Sequence, residues 1–210
     1  MNEESRGRVN EGSRRRAGKP PSQRARLHSE MIVDAAIARA ELHGLEELSA
    51  RKLAQDLGCE AMSLYHHVGS MEALRDLIVD RLLGSIAPAK ADGPMAALAQ
   101  ESRAYLDLAK QHARLFGLIA MRRWKGERAI ATAMRSVGYF GELGFKPEEA
   151  LARARALGAY LNGAGLALAA WATDAGNVRP GDAKQVNADL LRGLDLLLNS
   201  LAGGSTSAED

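Results

Sequence analysis

The stretch that most constrains this chain runs from Leu48 to Leu74, LSARKLAQDLGCEAMSLYHHVGSMEAL. Its apolar residues fall at helical spacing in two short blocks, Leu53, Ala54 and Leu57 in the first and Leu64 and Val68 in the second. Gly58, Cys59 and Glu60 separate the two blocks. Ser49 stands where an N-cap hydroxyl accepts from an orphan amide of the first turn, and Gly58 supplies the positive φ that ends the first helix. Two helices joined by a short glycine-containing turn are a helix-turn-helix pattern. The second helix opens with small or uncharged Ala61, Met62 and Ser63, which permit close approach to base edges. Tyr65, His66 and His67 then offer donors within reach of phosphate oxygens.

RKLAQDLG followed by CEAMSLYHHV resembles the DNA-binding domain of the TetR family of bacterial transcriptional regulators, in its tetracycline-repressor-like branch. The similarity covers residues 32–83, with L-Y-H-H-V its most specific part and M-E-A-L continuing it. The resemblance implies that Arg51 reaches a base edge, where arginine on guanine O6 and N7 is the commonest specific contact. It assigns Lys52, Ser63, Tyr65 and His67 to phosphate or base-edge contacts, with packing against the next helix as the competing role for His67. Ala61, Met62 and His66 complete the candidate DNA-binding set, Met62 facing a thymine methyl. Two positions depart from the pattern: relatives often carry glutamine in place of Ala61 and lysine in place of Met71. An operator sequence therefore does not carry over.

Few aromatics (4%) and almost no β-branched runs predict an all-α fold. The expected architecture is an N-terminal three-helix helix-turn-helix domain plus, by resemblance, a C-terminal helical ligand-binding and dimerisation domain. The expected divisions are a disordered basic tail at 1–28, a DNA-binding domain at 29–87 and a helical domain at 94–202, with a breaker-rich hinge from Pro88 to Pro94. No apolar run reaches the ~18 residues of a membrane span. Arg14–Arg16 lack the apolar region of an export signal. One cysteine, Cys59, excludes an intramolecular disulfide. A soluble cytoplasmic protein is expected, with Cys59 a small turn residue between acidic neighbours, not a thiolate sensor.

Charge is unevenly spread. Residues 1–28 hold eight Arg/Lys against three acids, whereas residues 29–83 hold five basic and ten acidic side chains, a net of −5. A DNA-binding head of that balance conflicts with the need to neutralise phosphates. Geometry resolves the conflict if Glu41, Glu46, Glu47, Asp76 and Asp80 face away from DNA. Arg14, Arg15, Arg16, Lys19, Arg24 and Arg26 then supply positive charge, either as a minor-groove arm or as an unspecific solvated leader.

Helices are predicted from Ser29 to Gly44, from Met71 to about Ile86, Met95–Lys110, His112–Arg122, Lys125–Leu143, Pro147–Thr173 and Gln185–Leu201, with a loop from Asp174 to Lys184. By resemblance the C-terminal helices hold a small-molecule pocket. Its candidate lining is Tyr105, His112, Phe116, Met121, Trp124, Met134, Val137, Tyr160, Asn162 and Trp171, with Phe140 and Arg122 as further candidates. Plain core packing is the alternative for the apolar ones. No His/Asp/Glu group has metal-ligand spacing, so no cofactor or metal-chelated ligand is expected. The small-residue stripe Ala150, Ala154, Gly158, Leu161, Gly165, Leu168 fits either an intersubunit four-helix bundle or packing within one chain.

No nucleophile–base pair or metal constellation occurs, so an enzyme is not expected. The sequence reads as a ligand-responsive repressor that binds a pseudo-palindromic operator as a homodimer and is released by a small-molecule effector. The alternative is a non-specific or architectural DNA-binding protein that uses its basic tail.

Overall fold

The computed structural model describes residues 27–174 and 179–203, and within them every regular element is helical. The basic tail expected at 1–28 lies outside the described residues, apart from Leu27 and His28. The first four helices are α1 (Ser29–His43), α2 (Ala50–Leu57), α3 (Ala61–Val68) and α4 (Met71–Gly84), with a 3-10 turn at Leu45–Glu47. Then come α5 (Pro94–Gln111), α6 (Ala113–Met121), α7 (Glu127–Glu142), α8 (Pro147–Thr173) and α9 (Pro180–Ala202).

Local sequence sets most of these boundaries. The Ser49 hydroxyl accepts from the Lys52 amide at 3.4 Å and the Ser70 hydroxyl from the Ala73 amide at 3.0 Å, capping α2 and α4. The α1 cap is His28, whose Nδ1 accepts from the Met31 amide at 3.2 Å. Gly58 sits at φ 62° and ψ 35°, the left-handed conformation that lets the chain leave α2 and begin α3 three residues later. Proline occupies the first position of α5, α8 and α9, where its missing N–H costs nothing.

One prediction fails at the last helix. The stretch expected to be loop as far as Lys184 is already helical from Pro180, with Asp182 in its first turn beside the positive end of the helix dipole.

Leu53, Leu64, Leu74 and Ile78 join Ile32 in the core of the first four helices. Leu98, Leu106, Leu115, Phe116, Ile119 and Phe140 form the core of the remaining five. The expected boundary segment, residues 88–93, is non-helical and links α4 to α5. Across it α4 runs along α7 and touches α6, while α1 also meets α6. The small stripe on α8 is consumed inside the chain. Ala150, Leu161, Gly165 and Leu168 are buried, and a Cβ at Gly165 would overlap the Phe116 ring. That finding favours the intrachain role for this stripe.

Candidate DNA-binding surface, cavity and the helix between them

The outward face of the helix-turn-helix follows from which residues its core takes. Leu64 and Val68, four apart, are buried beneath α3, which turns Met62, His66 and His67 outward. Met62 is 63% exposed. Arg51, in the first turn of α2, is exposed on the same part of the chain. The side chains of Arg51, Ser63, Tyr65, His66 and His67 make no hydrogen bond or ion pair with another described residue, so their polar groups are available. Lys52 differs, being ion-paired with Glu47. Ala61 is half-buried and packs against the core.

Part of the head's acids turn toward the rest of the chain, whereas Glu47, expected to face away from DNA, stays in the head beside Lys52, and Asp56 stays beside Arg39. Arg122 donates to Asp76 Oδ1 at 2.7 and 3.2 Å and to Glu72 Oε2 at 2.9 Å, and Lys125 reaches Asp76 Oδ2 at 3.2 Å. The Arg122 guanidinium, with help from Lys125, holds the Asp76 carboxyl below its usual range. Asp80 accepts from the Ala129 amide at 2.9 Å, capping the start of α7. Glu41 meets His112 Nδ1 at 3.0 Å, and Arg114 donates to the carbonyls of Glu41 and Leu42, tying α1 to α6. The negative excess of the head is thus partly an adhesive for the basic α6–α7 region.

A cavity of about 280 Å³ opens between α5, α7 and α8, with Ile86 and Trp124 also in its lining. Five of the ten candidate ligand residues line it: Tyr105, Trp124, Met134, Val137 and Asn162. The other five stand elsewhere. Phe116 is fully buried and meets Tyr105 edge-on, with centroids 5.4 Å apart. His112 is engaged with Glu41. Met121 is 81% exposed, and the Tyr160 hydroxyl donates to the Leu190 carbonyl at 2.6 Å. Trp171 is half-buried near the end of α8, away from the cavity lining, and the further candidate Phe140 is in the core. Arg122, considered as an anchor, serves α4 instead.

The polar lining was harder to read. Glu101, Ser102, Thr132, Ser136 and Arg155 join Asn162 around the cavity. Glu101, only 7% exposed, accepts two bonds from Arg135 Nε, at 2.8 and 3.0 Å. It also accepts from the Tyr139 hydroxyl at 2.7 Å and the Ala89 amide at 3.0 Å. Tyr105 donates to Asn162 Oδ1 at 2.6 Å, and burial pushes its phenol up so that it stays a neutral donor. The signal available in sequence was a helical one: Glu101 and Ser102 precede Tyr105 by about one turn, and Thr132 and Ser136 are four apart.

These features define an all-helical protein with an N-terminal helix-turn-helix head and a helical body containing a cavity. No family model matches the chain. It is 30% identical over 151 residues to an HTH-type transcriptional regulator of Saccharopolyspora erythraea, covering 69% of this chain and 62% of that relative. It is 42% identical over 59 residues to the class D tetracycline repressor protein of Escherichia coli, 28% of this chain and 27% of the repressor. The chain therefore spans less than two thirds of the length of these relatives. The Streptomyces coelicolor TetR family protein ActR, solved in complex with actinorhodin, superposes with a TM-score of 0.75 at 20% identity, over 88% of this chain and 99% of that one. The head is similar in sequence to that of a tetracycline repressor, and the chain as a whole has the TetR-family fold.

Proposed function

We propose that this chain is a ligand-responsive transcriptional repressor that binds a pseudo-palindromic operator as a homodimer in the cytoplasm and is released by a small-molecule effector. The observation that carries the reading is that the cavity and the C-terminal end of α4 share residues. Thr132 lines the cavity, and its hydroxyl proton lies between two acceptors, the Arg128 carbonyl of its own helix at 3.0 Å and the Leu83 carbonyl of α4 at 3.2 Å. Glu101 lines the cavity and holds Arg135, whose Nη2 donates to the Ile86 carbonyl at 2.9 Å. A ligand that displaces either side chain acts on the end of α4, and α4 packs on α3. Population arithmetic sets the demand: a complete switch requires the ligand to prefer the released state by about 5.5 kcal/mol.

In this reading Arg51 reads a base edge, Met62 contacts an apolar base group, and Ser63, Tyr65, His66 and His67 hold the backbone. Lys52 joins them by leaving Glu47. The dimer is built on the outer face of α8. Ala152, Ala156, Ala159, Gly163, Leu166 and Ala170 are all exposed and alternate at spacings of four and three, the pattern of a helix–helix seam. Leu196 on α9 is also exposed, at 67%. Pairing gives two heads for two half-sites, spaced by about one DNA turn or a multiple.

The test is selection of genomic fragments by the purified protein at roughly physiological salt. A short enriched palindrome, with Arg51→Ala relaxing one symmetric position, supports the regulator. Binding without sequence preference, which tracks salt and vanishes when the basic tail is removed, replaces it with the architectural alternative.

A further inference from the structure

Resting on the reading that this cavity takes the effector, we propose that the effector is a compact apolar organic anion, with its body in the α5–α7–α8 cavity and its carboxylate on Arg155. Most polar groups around the cavity are already occupied by one another. The Glu101 charge is met by Arg135, Tyr139 and the Ala89 amide. Tyr105 and Asn162 satisfy each other, and Trp124 Nε1 donates to the Ile119 carbonyl at 2.9 Å, leaving its ring as an apolar wall.

Three groups are left over: the half-buried Ser136 hydroxyl, Ser102 and Arg155. Ser102, 3% exposed and lining the cavity, has a hydroxyl with no hydrogen-bond partner among the described residues. Its oxygen is not sealed off from the cavity space, so a ligand acceptor can reach it. Arg155 also lines the cavity and has no acidic partner among the described residues.

Arg155 follows Leu151 by one turn of α8, and Leu151 and Met134, 36% and 53% exposed, form an apolar rim beside it. The lining therefore holds one acid, neutralised, and one base, not neutralised. An anion gains from that imbalance and a cation loses. A carboxylate matches the planar fork of a guanidinium, and an acceptor at depth meets the Ser102 hydroxyl. The volume, about 280 Å³, is at the small end of ligand sites, which excludes a large polycycle without rearrangement.

Calorimetric titration of the full chain with three matched probes tests this: 2-naphthoate, 2-naphthalenemethanol and 2-naphthylmethylammonium. The carboxylate is expected to bind about tenfold tighter than the alcohol, with the ammonium weakest. Arg155→Gln should erase the preference and leave the alcohol unchanged. Equal binding of carboxylate and alcohol, a preference that survives Arg155→Gln, or no binding of any probe at millimolar concentration overturns the proposal. Ala154→Phe, which fills the cavity, separates the two levels of the argument. If it abolishes binding of probes that show no charge preference, only the ligand class fails. If it leaves all binding intact, the cavity reading fails as well.

Discussion

Replacing Arg135 with methionine isolates the bond between cavity and α4. In the wild type the guanidinium makes three contacts: its one Nε–H is shared between the two Glu101 oxygens, at 2.8 and 3.0 Å, and Nη2 donates to the Ile86 carbonyl at 2.9 Å. Methionine keeps much of the apolar stem and removes all three. Glu101 then remains, 7% exposed, as a carboxylate without a countercharge. Removing one partner of a fully buried pair costs about 3–5 kcal/mol. Here the Arg135 side chain retains 22% exposure, and Tyr139 and the Ala89 amide still hold Glu101, so about 2–3 kcal/mol is expected. For a chain of this size that lowers Tm by about 4–12 °C, read by circular dichroism at fixed protein concentration. The second arm of the cycle is Glu101→Gln combined with Arg135→Met, which removes the stranded charge. It should regain at least about 1 kcal/mol over Arg135→Met alone. If the double variant is no more stable than the single one, the stranded Glu101 charge is not the cause of the loss, and the reasoning fails.

Other expectations concern packing, charge and assembly. Gly165→Ala should destabilise by about 1–3 kcal/mol because its Cβ meets the Phe116 ring, whereas Gly138→Ala, in open space on α7, should stabilise by about 0.5–1 kcal/mol; denaturant titration separates them, and equal shifts would contradict the close approach at Gly165. The Asp76 carboxyl is held low by Arg122, so its contribution is complete above its ordinary value of 3.8 and fades as pH falls through the lower folded value. Thermal unfolding of wild type and Asp76→Asn should therefore differ by a constant amount near neutral pH and converge under acid; parallel curves down to strong acid would refute the pairing. Ala159→Arg places a charge in the proposed α8 seam and should shift sedimentation from dimer to monomer with the helix content unchanged, while an unaltered dimer would move the interface elsewhere.

Much of the framework is legible in sequence because it depends on local chemistry. Pro147 with Glu148 and Glu149 marks the start of α8, and Ser49, Gly58 and Ser70 mark the helix-turn-helix, all through interactions within a few residues. The start of α9 is ambiguous in sequence because Gly181 and Asp182 resemble loop punctuation, although Pro180 and Asp182 are equally at home in a first helical turn. Side-chain assignments that depend on distant partners were harder. His112 and Arg122 look like pocket anchors until Glu41 and Asp76, 71 and 46 residues away in sequence, are found beside them. Glu101, Thr132 and Arg155 look like ordinary solvated helix residues, and only the convergence of α5, α7 and α8 brings them to one cavity. The small stripe on α8 illustrates the same limit: periodicity shows that a face is packed, but the neighbour it packs against is set by the tertiary fold.

The proposed mechanical coupling between the cavity and the two heads of the dimer can be measured directly. Cys59, the only cysteine, lies between α2 and α3 and provides a native position for a spin label. Pulsed dipolar spectroscopy on the labelled full chain, compared with the Ala154→Phe variant and with wild type plus 2-naphthoate, measures the distance between heads directly. One interlabel distance is expected for the unliganded dimer and a shifted distribution when the cavity is filled. An interlabel distance that stays the same with the cavity empty and filled, or no dipolar coupling at all, would contradict the proposed mechanism.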